Sequence, residues 1–268
     1  MNEYLKFALK LAKEAGKEIA KNFDLQKSIE FKSVKNPVTT IDRHIEKVIT
    51  KSINKAYPSH KILAEEFNNK LTKSTKKSSS KKSDDEFLWI IDPIDGTKNF
   101  IHGIPFVAVS IALQMNGEII AGVVHAPILN QTFYSAKNSA SYLNGKKITV
   151  SKAKKLENAL ITTGMQPIFH EKEITYYTNF CKKAGAVRRL GSAALDLCYI
   201  ACGKLDGCFE TALKPWDIAA GILILKNAGG KTTSFKGKPL NYLKDGNVLS
   251  SNTLLHPQML KTIDSAKI

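Results

Sequence analysis

The stretch that most limits what this chain can become is Phe87-Leu88-Trp89-Ile90-Ile91-Asp92-Pro93-Ile94-Asp95-Gly96-Thr97, where an apolar run breaks into two carboxylates, a glycine and a hydroxyl within six residues. Residues 87–91 are short, apolar and rich enough in strand formers to read as a buried strand. Residues 92–97 then form the loop at its C-terminal end, where open α/β sheets hold ligands. Pro93 fixes its own φ and biases Asp92 towards extended backbone, so the chain turns sharply and both Asp side chains converge. Converging carboxylates repel one another unless cations lie between them. An all-oxygen donor set suits Mg²⁺, which takes one or two carboxylates together with waters and phosphate oxygens. Gly96 lets backbone N–H groups approach an anion, and Thr97 adds a hydroxyl able to orient water. A surface Asp-Pro-x-Asp-Gly turn has the same composition, so the stretch alone leaves both readings open.

The remainder of the chain sets the frame. With 268 residues and 43% hydrophobic content, the expectation is a single α/β domain with a large core. No stretch approaches the ~20 apolar residues of a membrane helix and the N-terminus lacks a signal-peptide pattern, so the cytoplasm is the expected location. The four cysteines (Cys181, Cys198, Cys202 and Cys208) form no CxxC pair and read as buried free thiols. The six histidines show no metal-ligand spacing and read as surface or packed residues. A formal charge of +16 favours anionic substrates or nucleic acid. Six lysines and no acid fall within residues 70–82. That composition predicts a flexible, solvated insertion at about 67–86, without the aromatics that stack on bases.

Along the chain, residues 3–23 carry apolar positions at helical spacing. A second helix opens at Thr39-Thr40-Ile41-Asp42, with Ile41, Ile45, Val48, Ile49 and Ile53 expected on its buried side and Tyr57-Pro58 as its end. Asp42 in its first turn has a ready explanation in the helix dipole. Residues 61–64 read as a strand delivering Glu65-Glu66, whose side chains point to opposite sides. Residues 106–115 and 119–125 read as a hairpin around Asn116-Gly117, and residues 132–134 continue the sheet. In the second half, residues 160–163 read as a strand and 171–184 as a helix. Gly191-Ser192-Ala193 then opens an apolar helix, a geometry suited to anion binding. A strand carrying Glu210 follows, and Pro215-Trp216-Asp217 starts a helix that runs to Asn227.

Asp92-Pro93-Ile94-Asp95-Gly96-Thr97, preceded by Glu65-Glu66 and followed by Trp216-Asp217 and Ala219-Ala220-Gly221, resembles the inositol monophosphatase family of Mg²⁺-dependent, lithium-sensitive phosphatases. Residues 191–197 are especially similar to its bacterial SuhB-like branch. The resemblance implies a layered α/β/α/β/α sandwich of the inositol monophosphatase and fructose-1,6-bisphosphatase type, and a homodimer. It also implies two Mg²⁺ per active site, with a third, weaker one in some members. Glu65, Asp92 and the Ile94 carbonyl would hold the first cation, and Asp92, Asp95 and Asp217 the second. Asp42 and Thr97 would orient or activate the attacking water, with Glu65 completing the catalytic set. Gly96 and Thr97 would offer donors to the phosphate, beside Ile94, Asp95 and Asp217. Gly191, Ser192, Ala193 and Glu210 would contact the alcohol part of the substrate, and Lys32 would sit on a flexible lid.

Two departures bear on the substrate. Lys98 follows Asp-Gly-Thr where many members have a second Thr, a feature shared with the nucleotide-phosphate branch. Phe67 replaces a small residue after the Glu-Glu pair. The expected reaction is hydrolysis of inositol-1-phosphate or a similar polyol or sugar phosphate. The alternatives are the same chemistry on 3′-phosphoadenosine phosphates or fructose-1,6-bisphosphate, and binding of RNA or the transcription machinery, a role reported for the SuhB-like branch. No membrane partner is expected.

Overall fold

The computed structural model describes residues 2–25, 28–33, 36–67, 85–164 and 171–265. The chain begins with α1 (Glu3–Asn22), β1 (Ile29–Ser33), β2 (Asn36–Thr39), α2 (Thr40–Ala56) and β3 (Lys61–Ala64). Next come β4 (Phe87–Asp95), α3 (Thr97–Ile101), β5 (Ala108–Met115), β6 (Glu118–Ala126), β7 (Gln131–Ala136), β8 (Ser141–Leu143) and β9 (Lys146–Lys147). The second half runs through β10 (Leu160–Thr162), α4 (Glu171–Lys183), β11 (Ala186–Arg188), α5 (Ala193–Ala201), β12 (Gly207–Glu210), α6 (Pro215–Asn227), β13 (Gly230–Ser234), β14 (Val248–Asn252) and α7 (His256–Asp264). The lysine-rich residues 70–82 lie outside the described residues. Lys32 falls on β1, and its side chain lies outside them too.

These elements stack as five layers. A seven-stranded sheet of order β3-β4-β5-β6-β7-β8-β9 and a five-stranded sheet of order β11-β10-β12-β14-β13 enclose α5 and α6 between them. Helices α1 and α2 cover the outer face of the larger sheet, and α4 and α7 cover the smaller one. The sandwich follows from strands that are apolar on both faces: Trp89 and Ile91 point into the core under α1 and α2, while Leu88 and Ile90 point into the core around α5 and α6. Such runs need helices on both sides. Closeness between layers depends on Gly122 of β6, where an added Cβ would lie 2.9 Å from the Ala220 carbonyl of α6. The β5–β6 turn takes Asn116 at φ 52° and Gly117 at φ 84°, the mirror-image turn that suits a twisted hairpin.

Three expectations need correction. The strand carrying Trp89 does not end at Ile91 but runs to Asp95, pairing Asp92 with Ser110 and Asp95 with Ala108 around a bulge. Pro93 has no N–H to give the ladder, and the bulge absorbs it. On α2, Val48 is 37% exposed, because the buried stripe is centred on Asp42, Ile45, Glu46, Ile49 and Ile53. All four cysteines are free, but only Cys198 and Cys208 are buried, while Cys202 is half-buried and Cys181 is exposed on α4. The histidines do pack as ordinary residues where they are buried: His60 stacks on Phe87 and Tyr57 and accepts a 3.1 Å hydrogen bond from Trp89 Nε1.

Candidate active site

The site forms where the end of β4 meets the starts of α2, α5 and α6. Asp92 is buried, and its Oδ1 accepts from the Ile94 N–H at 3.0 Å, so the side chain closes a turn around Pro93. Asp95 follows after the bulge. Its Oδ2 accepts from the Ser192 hydroxyl at 2.6 Å and from the Ala194 N–H at 2.7 Å. Ser192 is also the N-cap of α5, accepting from the Leu195 N–H at 3.3 Å. The helix N-terminus expected to hold an anion therefore does so, and that anion is a carboxylate of the protein. Gly96 adopts φ 94°, and a Cβ there would lie 2.9 Å from the Phe106 carbonyl and 3.2 Å from that of Gly191. Gly191 itself lies at φ 89° against the Asn99 amide. Asn99 donates to the carbonyls of Phe106 at 2.9 Å and Leu190 at 2.8 Å, tying the turn after β4 to the approach of α5. Spacing gave no signal for Asn99.

Asp42 approaches from α2. Thr39 caps that helix: its N–H donates to Asp42 Oδ2 at 2.9 Å, its hydroxyl donates to the same oxygen, and the Asp42 N–H returns a 3.3 Å bond to that hydroxyl. The other oxygen, Oδ1, faces the Thr97 hydroxyl at 3.2 Å, and that hydroxyl lies 3.1 Å from the Ile94 carbonyl. Asp42 is thus both the third-position acid of a capping box and part of the site. Asp217 enters from the first turn of α6, accepting the Lys214 N–H at 2.6 Å. Ser110 of β5 fixes that turn by donating to the Trp216 carbonyl at 3.2 Å. Glu65 is half-buried at the end of β3.

The carboxylates act on one another. Burial pushes Asp92 well above the ordinary carboxylate range, and the charges of Glu65, Asp95, Asp217 and Asp42 push it further. Asp217 is raised well above that range by burial, then by Asp95 and Glu65, with the Lys214 N–H opposing. Asp95 is pushed up to about 6 by burial, against the hydrogen bonds from Ser192 and the start of α5, Ala193 included. Asp42 is raised by burial, with its bonds to Thr39 opposing and Glu65 adding to the rise. Four acids held above their ordinary range, each pushed further by the charge of Glu65, form a site short of positive charge. Among the described residues no three acidic, histidine or cysteine side chains stand close enough together to hold a metal ion as they are. The acids lie near enough to feel one another's charge, and as a donor set they are the hard, all-oxygen kind that suits Mg²⁺.

On the far wall, Glu210 is buried and pushed up to about 8, by burial first and then by Asp95, while a hydrogen bond from Gly164 and the charge of Arg189 oppose the shift. Among the described residues its Oε1 has no hydrogen-bond partner, and neither has Oδ1 of the buried Asp196 on α5. Asp196 is raised well above its ordinary range by burial and by Glu210. Sequence reasoning passed over Asp196, whose apolar neighbours hid it.

Comparison with known proteins places the chain in a family. The model of the inositol monophosphatase family matches residues 1–267. The chain is 38% identical over 261 residues to a fructose-1,6-bisphosphatase/inositol-1-monophosphatase of Thermotoga maritima, covering 97% of this chain and 95% of the relative. It is 35% identical over 268 residues to the Nus factor SuhB of Pasteurella multocida, covering 98% and 96%. The solved extragenic suppressor protein SuhB of Bartonella henselae superposes with a TM-score of 0.87 at 32% identity, over 98% of both chains. This chain belongs to the inositol monophosphatase family and is a phosphoric monoester hydrolase with that family's layered fold.

Proposed function

We propose that the chain acts as a single-domain, Mg²⁺-dependent phosphomonoesterase on inositol-1-phosphate or a similar polyol or sugar phosphate. The observation that carries this reading is the mutual charge interaction of Glu65, Asp92, Asp95 and Asp217 beside the hydrogen-bonded pair Asp42–Thr97. Glu65, Asp92 and the Ile94 carbonyl would hold one cation, and Asp92, Asp95 and Asp217 a second. Bound Mg²⁺ supplies neutralisation of the phosphate's charge and acidification of water.

The protein groups divide the remaining work. With its proton directed at Asp42, the Thr97 hydroxyl turns a lone pair outward and accepts a hydrogen bond from the attacking water. As the water oxygen bonds to phosphorus and the phosphorus–oxygen ester bond breaks, one water proton passes to Thr97 while the Thr97 proton passes to Asp42 and on to solvent, and the departing alkoxide takes a proton from solvent to leave as the alcohol. Gly96 and Thr97 present N–H groups at the N-terminal end of α3 towards the phosphate. Gly191, Ser192, Ala193 and Glu210 form the side for the alcohol, and Lys32 belongs to the lid. Uncatalysed phosphomonoester hydrolysis is so slow that enzymes accelerate it by up to ~10²¹-fold, and charge placed in advance accounts for much of that.

Phosphate release from inositol-1-phosphate, fructose-1,6-bisphosphate and 3′-phosphoadenosine 5′-phosphate, with and without Mg²⁺, tests the reading. Fastest turnover of inositol-1-phosphate supports it. Preference for the adenosine compound would shift the assignment to the nucleotide-phosphate branch, in line with Lys98. A second role, binding RNA or the transcription machinery, has its support in the Nus-factor name of the Pasteurella relative and in the +16 charge, while a cytoplasmic homodimer is what the sequence and the family resemblance imply. Salt-dependent retention on RNA tests it.

A further inference from the structure

Glu46 is an acid placed where a helix normally buries an apolar residue. It lies on α2 one turn after Asp42, on the same inward face, and is fully buried. Both of its oxygens are used on consecutive backbone amides: Oε2 accepts from the Glu66 N–H at 2.6 Å and Oε1 from the Phe67 N–H at 2.7 Å. These amides belong to the segment that leaves β3 immediately after Glu65. The Glu66 N–H lies in the peptide plane joining Glu65 to Glu66, so holding it fixes the rotation of the backbone next to the Glu65 Cα and with it the direction of that side chain. Without this carboxylate, the segment has no regular secondary structure to hold it. An apolar residue at position 46 would fill the space more cheaply, since a buried acid costs stability unless its hydrogen bonds are satisfied.

One turn of α2 therefore serves both halves of the site. Asp42 meets Thr97, and Glu46 holds the backbone that carries Glu65, so the distance between the water-activating pair and the first carboxylate is set by the rigid spacing of i and i+4. We propose that Glu46 is a positioning residue for the metal site, a two-pronged clamp that aims Glu65 at Asp92 from behind. This rests on the reading of Glu65 as a metal ligand. Groups that orient ligands without touching the metal typically contribute 10–100-fold to affinity.

The test is calorimetric titration of Mg²⁺ into the full-length wild type, Glu46→Gln and Glu65→Gln, together with Mg²⁺ activation of phosphate release from inositol-1-phosphate. The Gln amide matches the size of Glu but turns an N–H₂ towards one of the two backbone donors, so one prong is lost. Glu46→Gln is expected to melt cooperatively and to weaken Mg²⁺ about 10–100-fold in both measurements, with kcat recovered at saturating Mg²⁺. A role in stability alone would leave the Mg²⁺ dependence of the folded protein untouched. Glu46→Asp, which keeps the charge but is too short to span both amides, carries the same measurement if the Gln variant does not fold. Weakened Mg²⁺ in Glu65→Gln with wild-type Mg²⁺ behaviour in folded Glu46→Gln overturns the positioning role alone. Wild-type Mg²⁺ affinity in Glu65→Gln overturns the metal reading and the positioning role with it, and failure of both position-46 variants to fold overturns the positioning role in favour of a purely structural one.

Discussion

Ser192 donates its hydroxyl to Asp95 Oδ2 at 2.6 Å, although 97 residues separate the two in sequence. That bond joins the N-terminus of α5 to the end of β4, and so joins the smaller sheet's half of the molecule to the carboxylate centre. Ser192→Ala removes both this bond and the N-cap contact to Leu195. The expected loss of stability is about 1 kcal/mol from the cap, read from the urea midpoint. The Mg²⁺ needed for half-maximal phosphate release should rise as well, because Asp95 keeps only its backbone donors.

The spacing of the layers is equally open to test. Gly122→Ala sets a methyl 2.9 Å from the Ala220 carbonyl and 3.1 Å from its Cα, inside α6, where the backbone has no room to withdraw. Overpacking of this kind costs about 1–3 kcal/mol. Chemical denaturation should show a lowered midpoint with an unchanged slope. An unaltered midpoint would mean that α6 can move away from the sheet at Ala220 at little cost.

Much of the site could be read from the chain, for identifiable reasons. Asp92, Asp95 and Gly96 announce themselves because chemistry-bearing residues interrupt an apolar strand. Asp217 follows a proline that marks a helix start, and Glu65 ends a short strand. Glu46 was hidden because an acid beside Lys47 on a helix reads as solvated, and the template of apolar positions chose Val48 for the interior instead. Its one signal was the four-residue spacing from Asp42. The Ser192 end of α5 has a geometry suited to an anion, and Asp95 fills it. Only the fold could reveal that the anion comes from β4, since no local pattern encodes a contact across 97 residues.

Acid should weaken the fold through His256. This side chain is buried between the Thr233 and Ser251 hydroxyls, each 2.9 Å from a ring nitrogen. Its pKa is pushed down to about 4, by burial first and then by the charge of Lys231. An imidazole in the unfolded chain titrates near 6.5, so between these values the unfolded chain binds the extra proton. The contribution is therefore fully present above about pH 6.5 and is lost as pH falls towards about 4. The raised carboxylates act in the opposite sense over the same window, so the contribution is read as a difference: the urea midpoint of wild type relative to that of His256→Gln should fall as pH falls from about 6.5 to about 4. Parallel profiles would remove His256 from the acid response.

Lithium offers an independent check on the second cation position. If Asp92, Asp95 and Asp217 hold a cation that must leave with product, Li⁺ in the millimolar range should inhibit turnover in the presence of Mg²⁺. Titration of Li⁺ at fixed Mg²⁺ and substrate reads this directly. Insensitivity with Mg²⁺ activation intact would tell against the lithium-sensitive behaviour that the family resemblance implies.

The most direct measurement is Mg²⁺-dependent phosphate release by wild type and Asp95→Asn, using whichever phosphate of the panel the wild type hydrolyses fastest. Asn keeps an oxygen to accept from Ser192 and Ala194, so the melting temperature should change little while one negative charge leaves the centre of the site. The account predicts a loss of at least about 100-fold in kcat/KM, the scale on which removing one preorganised charged or polar group acts. A wild-type rate in a folded Asp95→Asn, at the same Mg²⁺, would contradict it.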